Sequence, residues 1–365
     1  MQFPLVSLSI LASVASVAEC WTPASSSGSD QAATESLAKL KGSISRQESE
    51  GAPGHPERRD VRLLQSGDRG GPQEYSTLSN EEKLDYTRAT RTIHRSGSFL
   101  AWHRHYVWTF EQALRDECGY KGYLPYWSWA KSSQDPINSP YLDGSEYSQG
   151  GNGEYEPHNC TRGLASNLLC IEPGQGGGCV KTGPYAGVMA NLTATVPSWP
   201  GITAKEPFSY DPRCIRHDIS VPLAQKWSGD EHIVDLLLNP LYQTDIGAFQ
   251  DRLQYTGNNT FGWYGLHQFG HFLTNGDPSG DFFNSPNEPL FWLHHGMVDR
   301  VWWIWQNQKP VERAFQVDGT RTMNNKPPSD NVTIEDTFDM GYNGGEVVIK
   351  DLVSTVAGPY CYIYL

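Results

Sequence analysis

Two aromatic-rich segments of this chain place a histidine in the same setting. One reads Phe99-Leu-Ala-Trp-His103-Arg, and the other reads Phe291-Trp-Leu-His294-His295, so each has phenylalanine four residues before a histidine. Residues four apart share a face of a helix. The near-repeat therefore predicts two similar helices, each directing one histidine toward a pseudo-symmetric pair of metal sites. It selects His295 as the ligand and leaves His294 to support it or pack behind it. For one segment alone, an aromatic core helix that happens to carry histidine is an equal alternative; for both together it is a weaker one.

A further cluster pairs two histidines one helical turn apart. His267-Gln-Phe-Gly-His271 has i, i+4 spacing, which lets both rings hold one metal ion but fits an ordinary pair of core histidines equally well. It is not the zinc-protease motif, because Gln268 replaces the general-base glutamate. His94 lies nine residues before His103, and a loop could bring both to one metal. Imidazole suits copper, zinc or iron, so the candidate ligands do not name the metal: His94, His103, His267, His271 and His295.

Local signals place these histidines mainly on helices. Ser98 can begin a helix over 99–118, which Gly119 ends, because glycine readily adopts the left-handed conformation found after helices. A long helix is predicted over 289–308, with proline at its first position and Pro310 as its stop. Further helices are predicted after the capping boxes that begin at Ser79 and Ser228, and over 245–255 and 262–273.

Two regions predict little helix. Residues 131–215 are rich in Gly, Pro, Asn and Ser and contain four cysteines, which predicts a long looped insertion tied by disulfides. The tail from about Asp318 to Leu365 alternates more and predicts short strands. The expected fold is mainly α, with a central helix bundle that carries a two-metal site, long loops and a few short strands.

The N-terminal residues carry signals of export. Residues 1–18 are apolar, uncharged and end in small residues, as in a signal peptide, and are too short for a membrane span of about 20 residues. Residues 19–73 are polar and predict a flexible leader, which leaves 74–365 as the folded domain. Seven cysteines fit an extracellular, disulfide-bonded glycoprotein, and the odd number leaves one without a partner. Four glycosylation sequons agree with secretion: those at Asn159, Asn191, Asn258 and Asn331.

The charge of the chain limits its partners. A net charge of −13 argues against nucleic acid, whose phosphates require a basic surface. No later apolar run is long enough to cross a membrane, so no membrane partner is expected. A small neutral substrate is compatible with this charge, and some of the abundant aromatic residues could line a pocket for a flat molecule.

Three longer strings carry a family resemblance. His94 to Arg104 and Asn287 to Arg300 are similar to the two copper signatures of the tyrosinase family. The string Cys118-Gly-Tyr-Lys-Gly-Tyr-Leu-Pro-Tyr-Trp-Ser-Trp129 resembles short fungal tyrosinases and catechol oxidases. The resemblance covers roughly Tyr75 to Gln308. It implies a secreted polyphenol oxidase with two coppers that bind dioxygen, oxidise o-diphenols to o-quinones and, in tyrosinases, also hydroxylate monophenols.

The resemblance also implies roles for individual residues. Family members hold each copper with three histidines, and no catalytic residues beyond these ligands are inferred. By this correspondence Phe282 takes the gate position over copper A, and Asp299, one helical turn after His295, is similar to a residue that orients the site. The implied ligands are His94 and His103, as the second and third of copper A, and His267, His271 and His295 for copper B.

The chain departs from the family at copper A. The first ligand should precede His94, but the sequence there reads Tyr86-Thr-Arg-Ala-Thr-Arg-Thr-Ile-His94 and contains no other histidine. His55 is the only upstream histidine, and its position in the polar leader beside Pro56 makes it a poor candidate. Related fungal sequences usually carry a cysteine in this segment as well, which fits the odd cysteine number. Either the gene model has skipped an exon, or the chain is a genuine variant with an incomplete copper A.

Three functions remain open from the sequence. The first is oxidation of small phenols with dioxygen at a copper pair. The second is dioxygen carriage, as in the related molluscan hemocyanins, although those are long chains of repeated units and this chain is one unit. The third is a catalytically impaired relative that binds only copper B, which the missing histidine favours.

Overall fold

The computed structural model describes residues 93–162, 170–205, 209–254, 265–341 and 344–364. Several predictions lie outside these ranges: the signal peptide, the leader with His55, the helix after Ser79 and the sequon at Asn258. Within the described residues there are seven α-helices: α1 (Phe99–Cys118), α2 (Val221–Trp227), α3 (Asp230–Leu238), α4 (Ile246–Gln254), α5 (Leu266–Phe272), α6 (Pro289–Gln308) and α7 (Pro310–Arg313).

The bounds of α1 and α6 match the sequence prediction. Gly119 follows α1 with a φ of 69°, in the left-handed region, and the Tyr120 amide donates back to the Leu114 carbonyl at 3.0 Å. Proline occupies the first position of α6, where its missing N–H costs no helical hydrogen bond. The stop signal of α1 and the start signal of α6 each act within one turn of the chain, so they could be read without knowledge of tertiary contacts.

Helices α1 and α6 pack through aromatic rings. Phe110 stacks on Trp292 with ring centroids 3.7 Å apart, and Tyr106 meets Phe291 edge-on at 6.1 Å. Helix α5 packs against α2 and α4. The bundle buries the aromatic face on which the predicted ligands lie, which confirms a mainly α fold with a central helix bundle.

The capping box at Ser228 was interpreted wrongly. Helix α3 begins at Asp230, with Gly229 at its N-cap, and Ser228 instead donates its hydroxyl to the Ala224 carbonyl at 2.8 Å. Ser228 ends α2, and this earlier helix uses its hydroxyl before α3 begins. Helices α4 and α5 lie within the predicted ranges 245–255 and 262–273, of which residues 255–264 are not described.

The insertion between α1 and α2 consists of loops and short antiparallel strand pairs. The disulfides Cys160–Cys170 and Cys179–Cys214 confirm that it is tied by its own cysteines. Strand β1 pairs with β4, β2 with β3 and β5 with β6. The bounds are β1 (Gly153–Tyr155), β2 (Thr161–Arg162), β3 (Cys170–Ile171), β4 (Gly177–Val180), β5 (Met189–Leu192) and β6 (Tyr210–Cys214).

The described residues divide into two compact units. The larger contains 93–302 and Val317–Val332, and therefore all of the described candidate ligands. The smaller includes Trp303–Gln316 and 333–364, and it holds the antiparallel pair β7 (Thr337–Asp339) and β8 (Glu346–Val348). These strands confirm the prediction for the tail, whereas the proposed domain boundaries stay predictions.

Two further sequence expectations concern cysteine and membrane. Cys118 is exposed and is the free cysteine among the described residues, in keeping with the odd number of cysteines. Of the helices that the structure describes, none combines the length and the apolar character that crossing a bilayer requires.

Candidate metal centre

Three imidazole nitrogens from two helices converge inside the bundle. Nε2 of His271 lies 3.1 Å from Nε2 of His267, one turn earlier on α5, and 3.2 Å from Nε2 of His295 on α6. Nitrogens that share one metal ion at about 2.0–2.1 Å lie roughly 3–3.5 Å apart. The spacing of the three atoms therefore fits a single metal ion, as predicted for His267, His271 and His295.

The adjacent His294 has a different role in this geometry. Its Nδ1 accepts a hydrogen bond from Trp129 Nε1 at 3.2 Å, and its Nε2 donates to the His267 carbonyl at 2.9 Å. Both ring nitrogens are thus engaged, although one of them lies near the ligand nitrogens. His294 joins α6 to the backbone of the ligand-bearing α5, which fits the predicted choice of His295 over His294.

Gly270 makes room for His294. A Cβ atom at position 270 would lie 2.0 Å from Cε1 of the His294 ring, far inside contact distance. The missing side chain lets the ring rest directly on α5, between the turns that carry His267 and His271. The glycine in the middle of a short helix is therefore explained by packing rather than by a turn.

His103 and His94 lie on the other side of the cluster. The His103 ring stacks on His295 with centroids 4.3 Å apart, and His94 meets His103 edge-on at 5.0 Å. Nδ1 of His103 bonds to the Phe99 carbonyl at 2.8 Å, which leaves its Nε2 lone pair for a metal. Nδ1 of His94 is buried without a hydrogen-bond partner. All five predicted ligands are therefore neighbours in one cluster.

The surroundings keep these rings neutral. Burial lowers the pKa of His103 to about 3 and outweighs its hydrogen bond to Phe99, which favours the charged ring. Burial also lowers the pKa of His271 to about 4. For His94, His267 and His295, burial and then the neighbouring imidazoles hold the pKa well below its ordinary value. Neutral imidazole is the metal-binding form, so the donor set fits copper.

The other described histidines have different neighbours. His105 stacks on Trp108, His158 lies on Trp199, His217 bonds to Glu288, and His232 bonds to the Lys226 carbonyl. His105 is two residues from His103 and points to another face of α1. Among the residues that the structure describes, the His94 side of the cluster therefore has two candidate ligands, His94 and His103.

A buried ion pair joins the helices behind the cluster. Nε of Arg104 bonds to Asp299 Oδ1 at 2.5 Å, and the side chains are 0% and 2% exposed. The Arg104 guanidinium also lies 3.6 Å from the centre of the Trp302 ring. The pair links the residue after His103 to the residue one turn past His295, and the orienting role that the resemblance implies for Asp299 stays a prediction.

A pocket opens beside the cluster at the position predicted for the gate. Phe282 lies over His94 with ring centroids 4.3 Å apart. The pocket wall includes His94, His267 and His271 together with Arg95, Gln268 and Phe282. Phe282 and three imidazoles of the cluster therefore line the same pocket, while its role as a gate stays a prediction.

Sequence reasoning missed several residues that hold the site. Trp129 was quoted within a family string, but its bond to His294 spans 165 residues and has no local signal. Asp281 precedes Phe282 and accepts backbone hydrogen bonds from the insertion, which its sequence position does not indicate. His217 and Glu288 form a buried pair at 2.9 Å that had no assigned role.

Comparison with known proteins gives consistent matches. Residues 72–308 match the family profile described as the common central domain of tyrosinase. Tyrosinase P of Aspergillus terreus is 38% identical over 280 residues, which are 75% of this chain and 77% of that protein. Oxidase hkm6 of Aspergillus hancockii is 36% identical over 275 residues, which are 75% of this chain and 96% of that protein. A variant polyphenol oxidase from Thermothelomyces thermophila has a similar structure, with a TM-score of 0.72 and 31% identity over 92% of this chain and 96% of that one.

Proposed function

The chain belongs to the tyrosinase family of copper-dependent phenol oxidases, and on that basis we propose that its histidine cluster binds copper and oxidises o-diphenols to o-quinones with dioxygen. The observation that carries the proposal is the convergence of Nε2 of His267, His271 and His295, with spacings of 3.1 and 3.2 Å, beside a pocket that two of these histidines help to line. Copper held by these imidazoles would supply the redox chemistry that couples oxidation of the diphenol to reduction of dioxygen.

The protein's own residues bind and orient. Neutral imidazoles of His267, His271 and His295 would hold copper B, while those of His94 and His103 would take part in copper A. Because their pKa values are low, these rings stay unprotonated ligands at neutral pH. Phe282 limits the height of the pocket over His94 and orients the phenol ring. Its apolar ring also excludes water from that side of the site.

A second candidate is a catalytically impaired relative that binds only copper B. It is favoured by the two candidate ligands on the His94 side, where the family resemblance implies three. A site with two imidazoles binds metal more weakly and with less defined geometry. Two-electron oxidation of a diphenol then lacks its second metal, so the chain as written is expected to hold near one copper and to have little or no catechol oxidase activity.

Metal analysis and a catechol assay on the same recombinant protein separate the two candidates. Two tightly held coppers with turnover support the oxidase and mean that a further ligand completes copper A. One copper without turnover supports the impaired relative. A chimera in which the segment before His94 is replaced by that of a relative serves as the positive control, and it is expected to hold two coppers and to oxidise catechol.

We also propose that the protein is secreted and glycosylated. The support is the pair of disulfides in the insertion and the exposure of three sequon asparagines, Asn159, Asn191 and Asn331. Mass spectrometry of protein recovered from the medium of an expressing fungus, before and after glycosidase treatment, tests this. Absence of the protein from the medium, or unmodified peptides at all three positions, contradicts it.

A further inference from the structure

The loop between α5 and α6 carries Phe282, and the residue just before it is a buried carboxylate. Asp281 is 1% exposed and accepts hydrogen bonds from four backbone amides. Its Oδ1 receives the two amides that follow Phe282, and its Oδ2 receives two amides of the insertion. The donors are Phe283 (2.9 Å), Asn284 (3.1 Å), Thr195 (2.9 Å) and Val196 (3.0 Å).

The same loop is joined to the insertion on both sides of Phe282. After it, the Asn284 side-chain amide donates to the Thr193 carbonyl. Before it, Gly280 lies so close to the insertion that a Cβ there would be 1.9 Å from Ser198 Oγ. Residues 280–284 therefore rest on residues 193–198, with Phe282 between the points of attachment.

The insertion offers a fixed base for this loop. Strand β5 ends just before Thr193 and pairs with β6, whose Cys214 is bonded to Cys179. Arg213 of β6 also bonds to Asp277 at 2.5 Å, a second link to the chain that leads to Phe282. The position of the Phe282 backbone is thus set by hydrogen bonds to a disulfide-tied segment nearly 90 residues away (residues 193–196 against 281).

The amides that Asp281 accepts lie on the chain directly after Phe282 and on the insertion beneath it. Charge-assisted hydrogen bonds that a carboxylate accepts are shorter and stronger than neutral ones, and here they join the loop to itself and to the insertion. We propose that Asp281 is a positioning residue that sets, through Phe282, which phenols reach the histidine cluster. The inference rests on the proposed function, because it assumes that phenols enter this pocket.

The test is Asp281→Asn, which keeps the shape of the side chain but turns one acceptor oxygen into an amide that faces two N–H donors. Dissociation constants for phenol and for the bulkier 4-tert-butylphenol are measured by calorimetry on the full-length secreted protein without oxygen, so that turnover plays no part. We expect the preference for phenol over 4-tert-butylphenol to fall by about threefold or more, within the range measured for coupled neighbouring residues.

Asp218→Asn is the matched control. Asp218 is also fully buried and accepts two backbone amides, Gly174 at 2.6 Å and Gly176 at 2.8 Å, but these belong to another loop of the insertion. The substitution removes similar bonds without loosening residues 280–284. We expect it to leave the preference between the two phenols unchanged.

The double substitution tests whether Asp281 acts through Phe282. Phe282→Ala alone is expected to shift the preference in the same direction, and adding Asp281→Asn to it should cause no further shift. An independent further shift in the double variant, an unchanged preference in Asp281→Asn or an equal shift in Asp218→Asn overturns the proposal.

Hydrogen exchange gives a readout that does not depend on the proposed function. In Asp281→Asn, the amides of residues 195–196 and 283–284 should exchange about tenfold faster or more, because a charged acceptor is lost. If no phenol binds any variant, the proposed function fails and exchange alone decides the role of Asp281. Unchanged exchange at these amides overturns that role.

Discussion

Arg104 and Asp299 form an ion pair of 2.5 Å in which neither side chain reaches solvent, and it spans the two helices that present His103 and His295. Asn at position 299 keeps the shape of the side chain but removes the charge that the buried Arg104 guanidinium faces at this contact. Asp299→Asn should therefore lower the free energy of unfolding by about 3–5 kcal/mol, measured by urea denaturation of the copper-free protein.

Asp235→Asn is the control for this prediction. Asp235 pairs with Arg252 at a similar 2.6 Å, but the side chains are 30% and 14% exposed. Partly exposed pairs contribute about 0–1 kcal/mol, so the loss should be small. Equal losses for the two variants would show that the pair behind the cluster contributes no more than a surface contact.

His271 stands at the centre of the nitrogen cluster, within 3.2 Å of both His267 and His295. His271→Ala should remove copper B and abolish any oxidase activity, as measured by metal analysis and catechol turnover. His232→Ala is the control, since His232 bonds to the Lys226 carbonyl and not to the cluster. Copper content and turnover that survive in His271→Ala would refute the ligand assignment.

His294 and His295 are expected to differ although they are adjacent. His295→Ala should lose the metal, because its Nε2 is one of the three converging atoms. His294→Ala should retain it with about 10–100-fold lower affinity or activity, because the bond to the His267 carbonyl is lost. Trp129→Phe, which removes only the donor to His294, should give a smaller loss. The reverse order for the two histidines would mean that the wrong member of the pair was chosen.

Phe282 is expected to control the size of the substrate. Phe282→Ala opens the space over His94 and should raise binding of bulky phenols relative to catechol while copper content stays the same. Phe283→Ala is the control, because Phe283 contacts Phe282 and is not part of the pocket wall. An unchanged preference, or loss of folding in Phe282→Ala, would identify Phe282 as an ordinary core residue.

His217 predicts a pH dependence. Its Nδ1 faces the Gly151 carbonyl and its Nε2 faces Glu288, so only the protonated ring satisfies both acceptors. Burial alone would lower the pKa of His217, but the charge and hydrogen bond of Glu288 outweigh it and raise the pKa. The pair therefore stabilises the folded protein fully below the unfolded pKa of histidine, about 6.5. This stabilisation is lost as pH rises through the raised pKa of His217 in the folded protein.

Urea unfolding of the copper-free wild type and of Glu288→Gln checks this dependence. The difference between the two should be about 3–5 kcal/mol near pH 5.5 and should fall toward the roughly 1 kcal/mol of a single hydrogen bond as pH rises past the raised pKa of His217. Taking the difference cancels the titration of the clustered histidines, which both proteins share. A difference that does not change with pH would mean that His217 is neutral in the folded protein.

The sequence predicts local features of this fold well and distant ones poorly. The end of α1 at Gly119 and the start of α6 at Pro289 depend on residues within one turn, so their bounds were predicted to the residue. The cap at Ser228 failed because α2 had already engaged that hydroxyl, a competition that spacing does not reveal. Residue patterns found the five clustered histidines and indicated a pair of metal sites, while the identity of the metal and the assignment of ligands to copper A and copper B came from the family resemblance.

The supports of the site could not be predicted, because their partners are far apart in the chain. Asp281 bonds to Thr195 and Val196, and Trp129 bonds to His294, with no periodicity that links the positions. In the sequence, Asp281 followed by Phe282 looks like part of an ordinary loop. Only the three-dimensional arrangement shows that the two oxygens of Asp281 join the loop of Phe282 to a disulfide-tied insertion.

The contact between Gly270 and His294 constrains how this lineage can change over evolutionary time. A methyl group at position 270 would enter the space that the His294 ring occupies, at 2.0 Å from Cε1. The side chains at positions 270 and 294 therefore compete for one volume. Position 270 can take a larger residue without overlap only after position 294 has taken a smaller one. Glycine with a small residue at 294 creates no overlap, whereas alanine with histidine forces the ring or the helix to shift. Substitutions at these two positions are therefore expected in one order, with position 294 changing before position 270.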